Sequence, residues 1–151
     1  MKWHRAYVRH GIEEIRDSLA VKNTIPNVSA VLMRKPDLSE ITPQLLSLKN
    51  AGDWLVYVHL LETGDVAFFP TALNYHRRHD GSMTIGHGGL NLMREILIVQ
   101  RRVIDRHPIP PDVERKRDEH LQSIYEYLGL HQDGPPAYKD HEALKALTLA
   151  R

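Results

Sequence analysis

The sequence predicts an α+β domain: a small mixed or antiparallel sheet with β-hairpins, covered by amphipathic helices concentrated in the C-terminal half. Three observations predict this class. Short apolar runs of strand length occur in the N-terminal half. Turn sequences that contain Gly64 and Gly81 follow such runs. From Leu90 onward, apolar residues recur at helical spacing between proline and glycine boundaries.

Length and composition limit the possibilities. The chain has 151 residues, a formal net charge of +1 and no cysteine. This length predicts one domain at residues 1–132. Residues 133–151 would form a linker and a short helix that packs on the domain or on a partner, including a second copy in a homodimer. Without cysteine, disulfides, thiolate catalysis and cysteine zinc sites are excluded. Since the apolar runs are too short to span a membrane, we expect a cytoplasmic protein without membrane contact.

The N-terminal quarter predicts a strand, a helix and a second strand. Residues 3–8 favour β-structure, and Gly11 ends that run. Residues 12–22 place their apolar side chains on one helical stripe, which predicts an amphipathic helix. Residues 28–33 form an apolar run of strand length.

The next segment predicts a short helix followed by the clearest strand. Thr42 and Pro43 are typical of a helix start, and Gly52 is typical of its end. Residues 54–61 are apolar on both alternating faces, which favours a central strand, and His59 within it would be a core or interface histidine. With the preceding strand this segment would form a parallel β-α-β unit, so a mixed sheet is expected.

Two β-hairpins are predicted next. The turn at residues 62–65 would connect the central strand to a return strand at residues 66–69, whose ladder Pro70 limits. The Asp-Gly turn of a second hairpin would pair residues 73–77 with residues 83–85.

Two long helices and a short third helix complete the predicted fold. Residues 90–106 carry a wide apolar stripe, and His107 precedes a proline-rich run that a helix cannot cross. The next helix begins at Pro111, and Gly129 is typical of its cap. A terminal helix begins at Asp140.

Residues 76–107 hold a local excess of positive charge, with six arginines against three acidic residues. Such an excess can steer an anionic partner. The helix at residues 90–106 would present three arginines to nucleic-acid phosphates in salt-dependent contacts, namely Arg94, Arg101 and Arg102. A solvated helix face is the alternative.

Arg77 and Arg78 lie near the tip of the second hairpin. They are candidate phosphate ligands because a guanidinium group binds phosphate through two hydrogen bonds. A solvated hairpin tip is the alternative. A metal site at this tip is disfavoured because His76 and His79, three residues apart in a strand, lie on opposite faces. We expect neither a metal nor a cofactor.

The turn Gly86-His87-Gly88 precedes a predicted helix. Free backbone N–H groups and the helix dipole make such a turn a site for a small anion. His87 would stand beside the anion and pair with it or transfer a proton near neutral pH. A tight turn that needs glycine for its backbone is the alternative.

Two tripeptides, Arg9-His10-Gly11 and His87-Gly88-Gly89, resemble the histidine phosphatases. In that family an early Arg-His-Gly supplies the histidine that takes the phosphoryl group, and a second histidine lies against it. The resemblance implies a hydrolase in which His10 and His87 act with Arg9. The chain departs from the family at Gly86, where serine is usual, and lacks its Ser-x-x-x-Arg-x-x-x-Thr motif.

Three function classes follow. The first is a small soluble binding or regulatory protein that acts on nucleic acid or a nucleoprotein complex through its Arg/His-rich surface. The alternatives are a His-dependent phosphoryl hydrolase and a protein–protein interaction module. The binding role ranks first because the basic cluster requires no catalytic partner that the sequence lacks. Whether the chain is an enzyme stays open.

Overall fold

The computed structural model describes residues 4–25, 27–73 and 89–130. These ranges form two strands and five α-helices. The strands are β1 (Tyr7–His10) and β2 (Asp65–Phe68), and the helices are α1 (Gly11–Glu14), α2 (Thr42–Leu45), α3 (Gly52–Leu61), α4 (Gly89–Arg106) and α5 (Pro111–Tyr127). An antiparallel sheet with packed C-terminal helices confirms the predicted α+β class. None of the helices in these ranges is long and apolar enough to cross a membrane.

The sheet joins two segments that are far apart in the sequence. β1 pairs antiparallel with β2, and Tyr7 lies opposite Phe68 with their ring centroids 5.4 Å apart. Directly after β1, the N–H of Gly11 donates a hydrogen bond to the carbonyl of Gly64 over 3.1 Å. The bounds of β2 differ by one residue at each end from those of the predicted return strand at residues 66–69. The predicted hairpin is nevertheless wrong, because β2 pairs with β1 and not with residues 54–61.

Residues 54–61 belong to helix α3 and not to a central strand, so the parallel β-α-β unit is wrong as well. The apolar side chains of α3 are buried on several sides of the helix, namely Trp54, Leu55, Tyr57, Val58 and Leu61. A helix that is apolar nearly all round lacks a strong period, so periodicity alone does not separate it from a buried strand. Gly52 begins α3 and does not end the preceding helix.

The segment between α1 and α3 contains less regular structure than predicted. The expected strand at residues 28–33 is a single 3-10 turn, Val28–Ala30, and residues 31–38 form neither helix nor strand. The expected helix at Thr42 begins there with proline in its first turn, but it is only four residues long.

The helix predicted after Gly11 is present as α1 and a π-helical continuation, Ile15–Leu19. Side chains from two other helices bind carbonyl groups at its end. The indole N–H of Trp54 in α3 donates to the Leu19 carbonyl over 3.1 Å. The amide of Gln100 in α4 donates to the Val21 carbonyl over 2.8 Å. These hydrogen bonds attach α3 and α4 to the same turn.

The two long C-terminal helices match the prediction. α4 ends directly before His107 and the proline-rich run, and α5 begins at Pro111. After α5, Gly129 has a φ of +70°, which glycine adopts without strain. Buried side chains of α3, α4, α5 and the π-helical segment form one core. The second predicted hairpin and the terminal helix lie largely or wholly in residues 74–88 and 131–151, outside the described residues.

A candidate functional site at the C-terminal ends of α3 and α4

An open cleft of about 750 Å³ lies where the ends of α3 and α4 meet the loop at residues 36–40. Ionisable side chains from all three segments line it, among them Glu40, His59, Glu62, Arg106 and His107. Carboxylates, imidazoles and a guanidinium group therefore converge at one opening.

Glu62 is the central residue of this cleft. It follows the last residue of α3, and its side chain is only 10% exposed. Oε1 lies 2.8 Å from Arg106 Nε and 3.3 Å from His107 Nε2. Oε2 lies 3.8 Å from His59 Nδ1 and 3.8 Å from Arg102 Nη2. A carboxylate tolerates burial when such partners surround it, so Glu62 holds the cleft side chains of α3 and α4 together.

Glu40 contacts the same two arginines from the solvent side. Its Oε1 lies 2.8 Å from Arg102 Nη2 and 3.0 Å from Arg106 Nη1. Its side chain is 52% exposed, far more than that of Glu62. The hydrogen bond from Arg102, with a smaller effect of the Arg106 charge, holds the pKa of Glu40 below its usual value. Glu40 therefore shows how an anionic group sits across both guanidinium groups.

The ring of His59 is oriented by a hydrogen bond at one of its two nitrogens. Its Nε2 lies 2.8 Å from the carbonyl oxygen of Asp37. Because a carbonyl oxygen only accepts hydrogen bonds, Nε2 carries a proton. The buried Nδ1 faces Glu62 and has no hydrogen bond within the described part of the chain. His59 is thus a partly buried cleft residue on a helix, not the strand histidine that the sequence predicts.

His107 stands at the end of α4, where its backbone N–H donates to the Val103 carbonyl over 2.8 Å. Its side chain is 13% exposed, and Nε2 lies beside Glu62. In the tautomer that donates from Nε2 to the Glu62 carboxylate, Nδ1 keeps its lone pair. Nδ1 forms no hydrogen bond to the residues that the structure describes. An imidazole oriented in this way can accept a proton from a bound group.

The arrangement can bind an anion and transfer a proton. Arginine side chains bind phosphate and carboxylate through paired hydrogen bonds, and histidine exchanges a proton near neutral pH. Across residues 4–25, 27–73 and 89–130, no group of three or more His, Asp or Glu side chains is placed to hold a metal ion. The absence of a metal and of a cofactor stays a prediction.

The three arginines predicted on the phosphate-binding face of α4 do not share one location. Arg102 contacts two carboxylates that line the cleft, those of Glu40 and Glu62. Arg101 is exposed and forms an ion pair with Asp105, with Nε 2.9 Å from Oδ2. Arg94 lies two turns before Arg102, about 12 Å away along the helix axis at the usual rise per residue. A phosphate in the cleft therefore contacts one of the three.

Arg9 and His10, the pair suggested by the resemblance to histidine phosphatases, are neighbours in β1 and point to opposite faces. The guanidinium group of Arg9 contacts three carboxylates, those of Glu13, Glu14 and Asp17. The His10 side chain is 79% exposed, and its Nδ1 lies 2.8 Å from Asp65 Oδ1 on β2. Both groups already have acidic partners within this part of the fold.

The other predicted site residues lie outside the described residues: Arg77, Arg78, Gly86, His87 and Gly88. The phosphate-binding hairpin tip and the anion-binding turn therefore stay predictions.

Sequence reasoning missed five cleft residues: Glu40, His59, Glu62, Arg106 and His107. A usable signal existed for some of them. His59 and Glu62 are spaced i, i+3, which places both on one side of a helix, but the strand assignment concealed this relation. No local signal connects Glu40 to the cleft, because its partners in α4 lie 62 and 66 residues away.

Known proteins supply no relative, since no family model, no curated protein and no solved structure matches this chain. The chemistry of the cleft follows from its own side chains.

Proposed function

We propose that this chain is a cytoplasmic protein that binds nucleic acid by placing a backbone phosphate on Arg102 and Arg106. The observation that carries the proposal is the Glu40 carboxylate, which bridges both guanidinium groups at 2.8 and 3.0 Å. A phosphate group presents similar oxygen acceptors to arginine. It would replace Glu40, whose half-exposed side chain can turn into solvent.

The charge around the cleft supports this exchange. When Glu40 turns away, two arginines face one buried carboxylate, that of Glu62. The charge of the second arginine is then balanced by Asp37, which also lines the cleft. The carboxylate of Asp37, on the cleft wall, accepts the N–H of Ser39 at 2.9 Å within its own loop. A phosphodiester, with one negative charge, would take the place of the one negative charge that Glu40 withdraws from the two guanidinium groups.

The openness of the cleft favours a polymer over a small phosphorylated metabolite. A strand can pass along the surface and place one phosphate on the arginines without entering an enclosed cavity. One neutralised phosphate predicts a weak salt dependence, with the logarithm of the association constant falling by about 0.7 per tenfold increase in salt. A dedicated basic groove would give a much steeper slope.

Fluorescence anisotropy with a labelled single-stranded oligonucleotide at low salt tests the proposal. Arg106→Gln should weaken binding about tenfold, because charged hydrogen bonds to the phosphate are lost. Arg115→Gln is the matched control: Arg115 lies on α5 and pairs with Glu119 at 2.8 Å, away from the cleft lining. The control should change affinity less than about twofold, since it alters only the net charge.

A second pair of variants tests the displacement of Glu40. Glu40→Gln should strengthen oligonucleotide binding by about threefold to tenfold, because the competing carboxylate is removed. Glu119→Gln produces the same change in net charge on α5 and should have little effect. Equal affinities of the Arg106 and Arg115 variants would contradict the proposal, as would a parent chain that binds no oligonucleotide at low salt.

A further inference from the structure

We infer that the same cleft cleaves RNA, with Nδ1 of His107 removing the proton of the ribose 2′-hydroxyl next to the bound phosphate. This inference rests on the proposed function, since the phosphate must first be placed on Arg102 and Arg106. It goes beyond binding because an anion site does not need an imidazole held in one orientation by a buried carboxylate.

Glu62 contacts both the proposed anion-binding group, Arg106, and the proposed proton acceptor, His107. One oxygen of Glu62, Oε1, lies 2.8 Å from Arg106 Nε and 3.3 Å from His107 Nε2. Arg106 and His107 therefore meet at one carboxylate oxygen, and the proposed reaction places the Nδ1 side of His107 toward a phosphate on Arg106. Glu62 acts as a positioning residue: it occupies Nε2 of His107 and leaves the Nδ1 lone pair for the substrate.

RNA is the substrate class whose cleavage would use the ionisable groups of this cleft. The site offers a base and two cations, and RNA brings its own nucleophile, the 2′-hydroxyl adjacent to each phosphodiester. DNA lacks that hydroxyl. The two arginines would stabilise the extra negative charge that develops on the phosphoryl oxygens during the attack.

The reaction is a transesterification. As the proton of the 2′-hydroxyl passes to His107, the 2′-oxygen forms a bond to phosphorus. The bond from phosphorus to the 5′-oxygen breaks, and the 5′-oxygen keeps the electron pair and takes a proton from water in the open cleft. His107 then returns its proton to the hydroxide that remains. The products are a 2′,3′-cyclic phosphate end and a 5′-hydroxyl end.

The test incubates the full chain with a short single-stranded RNA and with DNA of the same sequence, in buffer that contains a metal chelator. The RNA should be cleaved to 2′,3′-cyclic phosphate ends, and the DNA should be bound without cleavage. His107→Gln should lower the rate at least about 100-fold, the usual size of a lost general base, with RNA affinity within about threefold. The matched control is His120→Gln on α5, a partly buried histidine outside this cleft, and it should retain the parent rate.

Each outcome decides a separate point. Binding without cleavage overturns this inference and leaves the proposed function standing. Cleavage of DNA, other product ends, or an unchanged rate in His107→Gln also overturns it. If the parent chain binds no RNA, the proposed function fails as well. The product ends and the RNA-to-DNA difference are measured on the parent chain, so they remain decisive if the His107 variant does not fold.

Discussion

A glutamate with little solvent exposure lies at each end of helix α3, and the two carboxylates have different kinds of partner. At the N-terminal end, Glu95 of α4 accepts hydrogen bonds of 2.6 to 3.0 Å from three successive backbone N–H groups, those of Lys49, Asn50 and Ala51. At the C-terminal end, Glu62 contacts the side chains of Arg106 and His107. Backbone donors cannot turn away from their carboxylate, whereas side chains can exchange partners. We call the Glu95 end of α3 the structural end, and we call the Glu62 end the reactive end because the proposed site lies there.

Glu95 holds the turn that leads into α3 through the N–H groups of Lys49, Asn50 and Ala51. The N-cap residue, Ala51, has no side chain that can accept a hydrogen bond. Burial by itself raises the pKa of Glu95, yet the hydrogen bonds from Asn50, Lys49 and Ala51 outweigh burial and hold that pKa below its usual value. The ionised carboxylate also interacts favourably with the positive end of the helix dipole. This end of α3 is therefore closed around its charge.

Disrupting the close contact of Gly11 with the backbone of Leu61 and Gly64 should have the largest effect on the free energy of unfolding. A β-carbon at Gly11 would lie 2.1 Å from the carbonyl oxygens of both Gly64 and Leu61. We expect Gly11→Ala to lower the free energy of unfolding by about 3 kcal/mol or more, because backbone atoms must shift. Urea denaturation measures this loss. Gly129→Ala is the control, with a positive φ but open space around its β-carbon, and should cost about 1–2 kcal/mol. Equal losses would contradict this account.

Neutralising the structural end should have the next largest effect. Glu95 is 6% exposed, and Glu95→Gln places an amide NH₂ among N–H donors that then lack an acceptor. The expected loss of unfolding free energy is about 2–4 kcal/mol. Glu114→Gln, at an exposed position of α5, should change it by less than about 0.5 kcal/mol. A similar small change in both variants would show that Glu95 does not stabilise the turn that leads into α3.

The same carboxylate predicts how the stability difference depends on pH. The folded-state pKa of Glu95 is lowered, so its contribution is fully present above the unfolded value of about 4.3 and is lost as pH falls through the folded value. The difference in unfolding free energy between the parent and Glu95→Gln should therefore be constant from pH 7 to about pH 5 and shrink at lower pH. A difference that stays constant down to pH 3 would contradict this assignment.

Added salt should have a smaller effect, and it should change the free-energy cost of a substitution at the Glu62 end only. The Glu62 side-chain ion pairs border an open cleft, so added salt screens them, whereas the Glu95 hydrogen bonds are enclosed. The cost of Glu62→Gln should fall by about 1 kcal/mol between low salt and 1 M NaCl, and the cost of Glu95→Gln should not change. Parallel urea titrations at both salt concentrations measure the two costs. Equal salt dependence would show that the two ends do not differ in solvent access.

The sequence was sufficient for elements whose signals are local. α4 and α5 each have an apolar stripe, and Pro111 and Gly129 mark the limits of α5. The sequence predicts a strand in place of α3 for two physical reasons: the helix is buried on several sides, and the carboxylate that binds its leading turn is Glu95, 44 residues beyond Ala51. β2 was located, but its pairing with β1 is a long-range contact that no turn signal reveals.

The candidate site could be predicted only in part for the same reason. Arg102 was selected because an arginine on an amphipathic helix is a local feature. Glu62 and His107 lie 45 residues apart and meet only because α3 packs beside α4. His59 and Glu62 lie on the same side of a helix but on opposite faces of a strand, so the strand prediction for residues 54–61 separates them. The error in one element thus concealed most of the cleft.

The most direct measurement of the central claim is an NMR titration of isotope-labelled protein with a short single-stranded RNA. We predict that the imidazole signals of His59 and His107 and the Nε–Hε signal of Arg106 shift with one common affinity. The amide signals of Lys49 and Ala51, which bind Glu95 at the other end of α3, should stay in place. Shifts at the Glu95 end without shifts at His107 would contradict the assignment of the C-terminal end as the functional one.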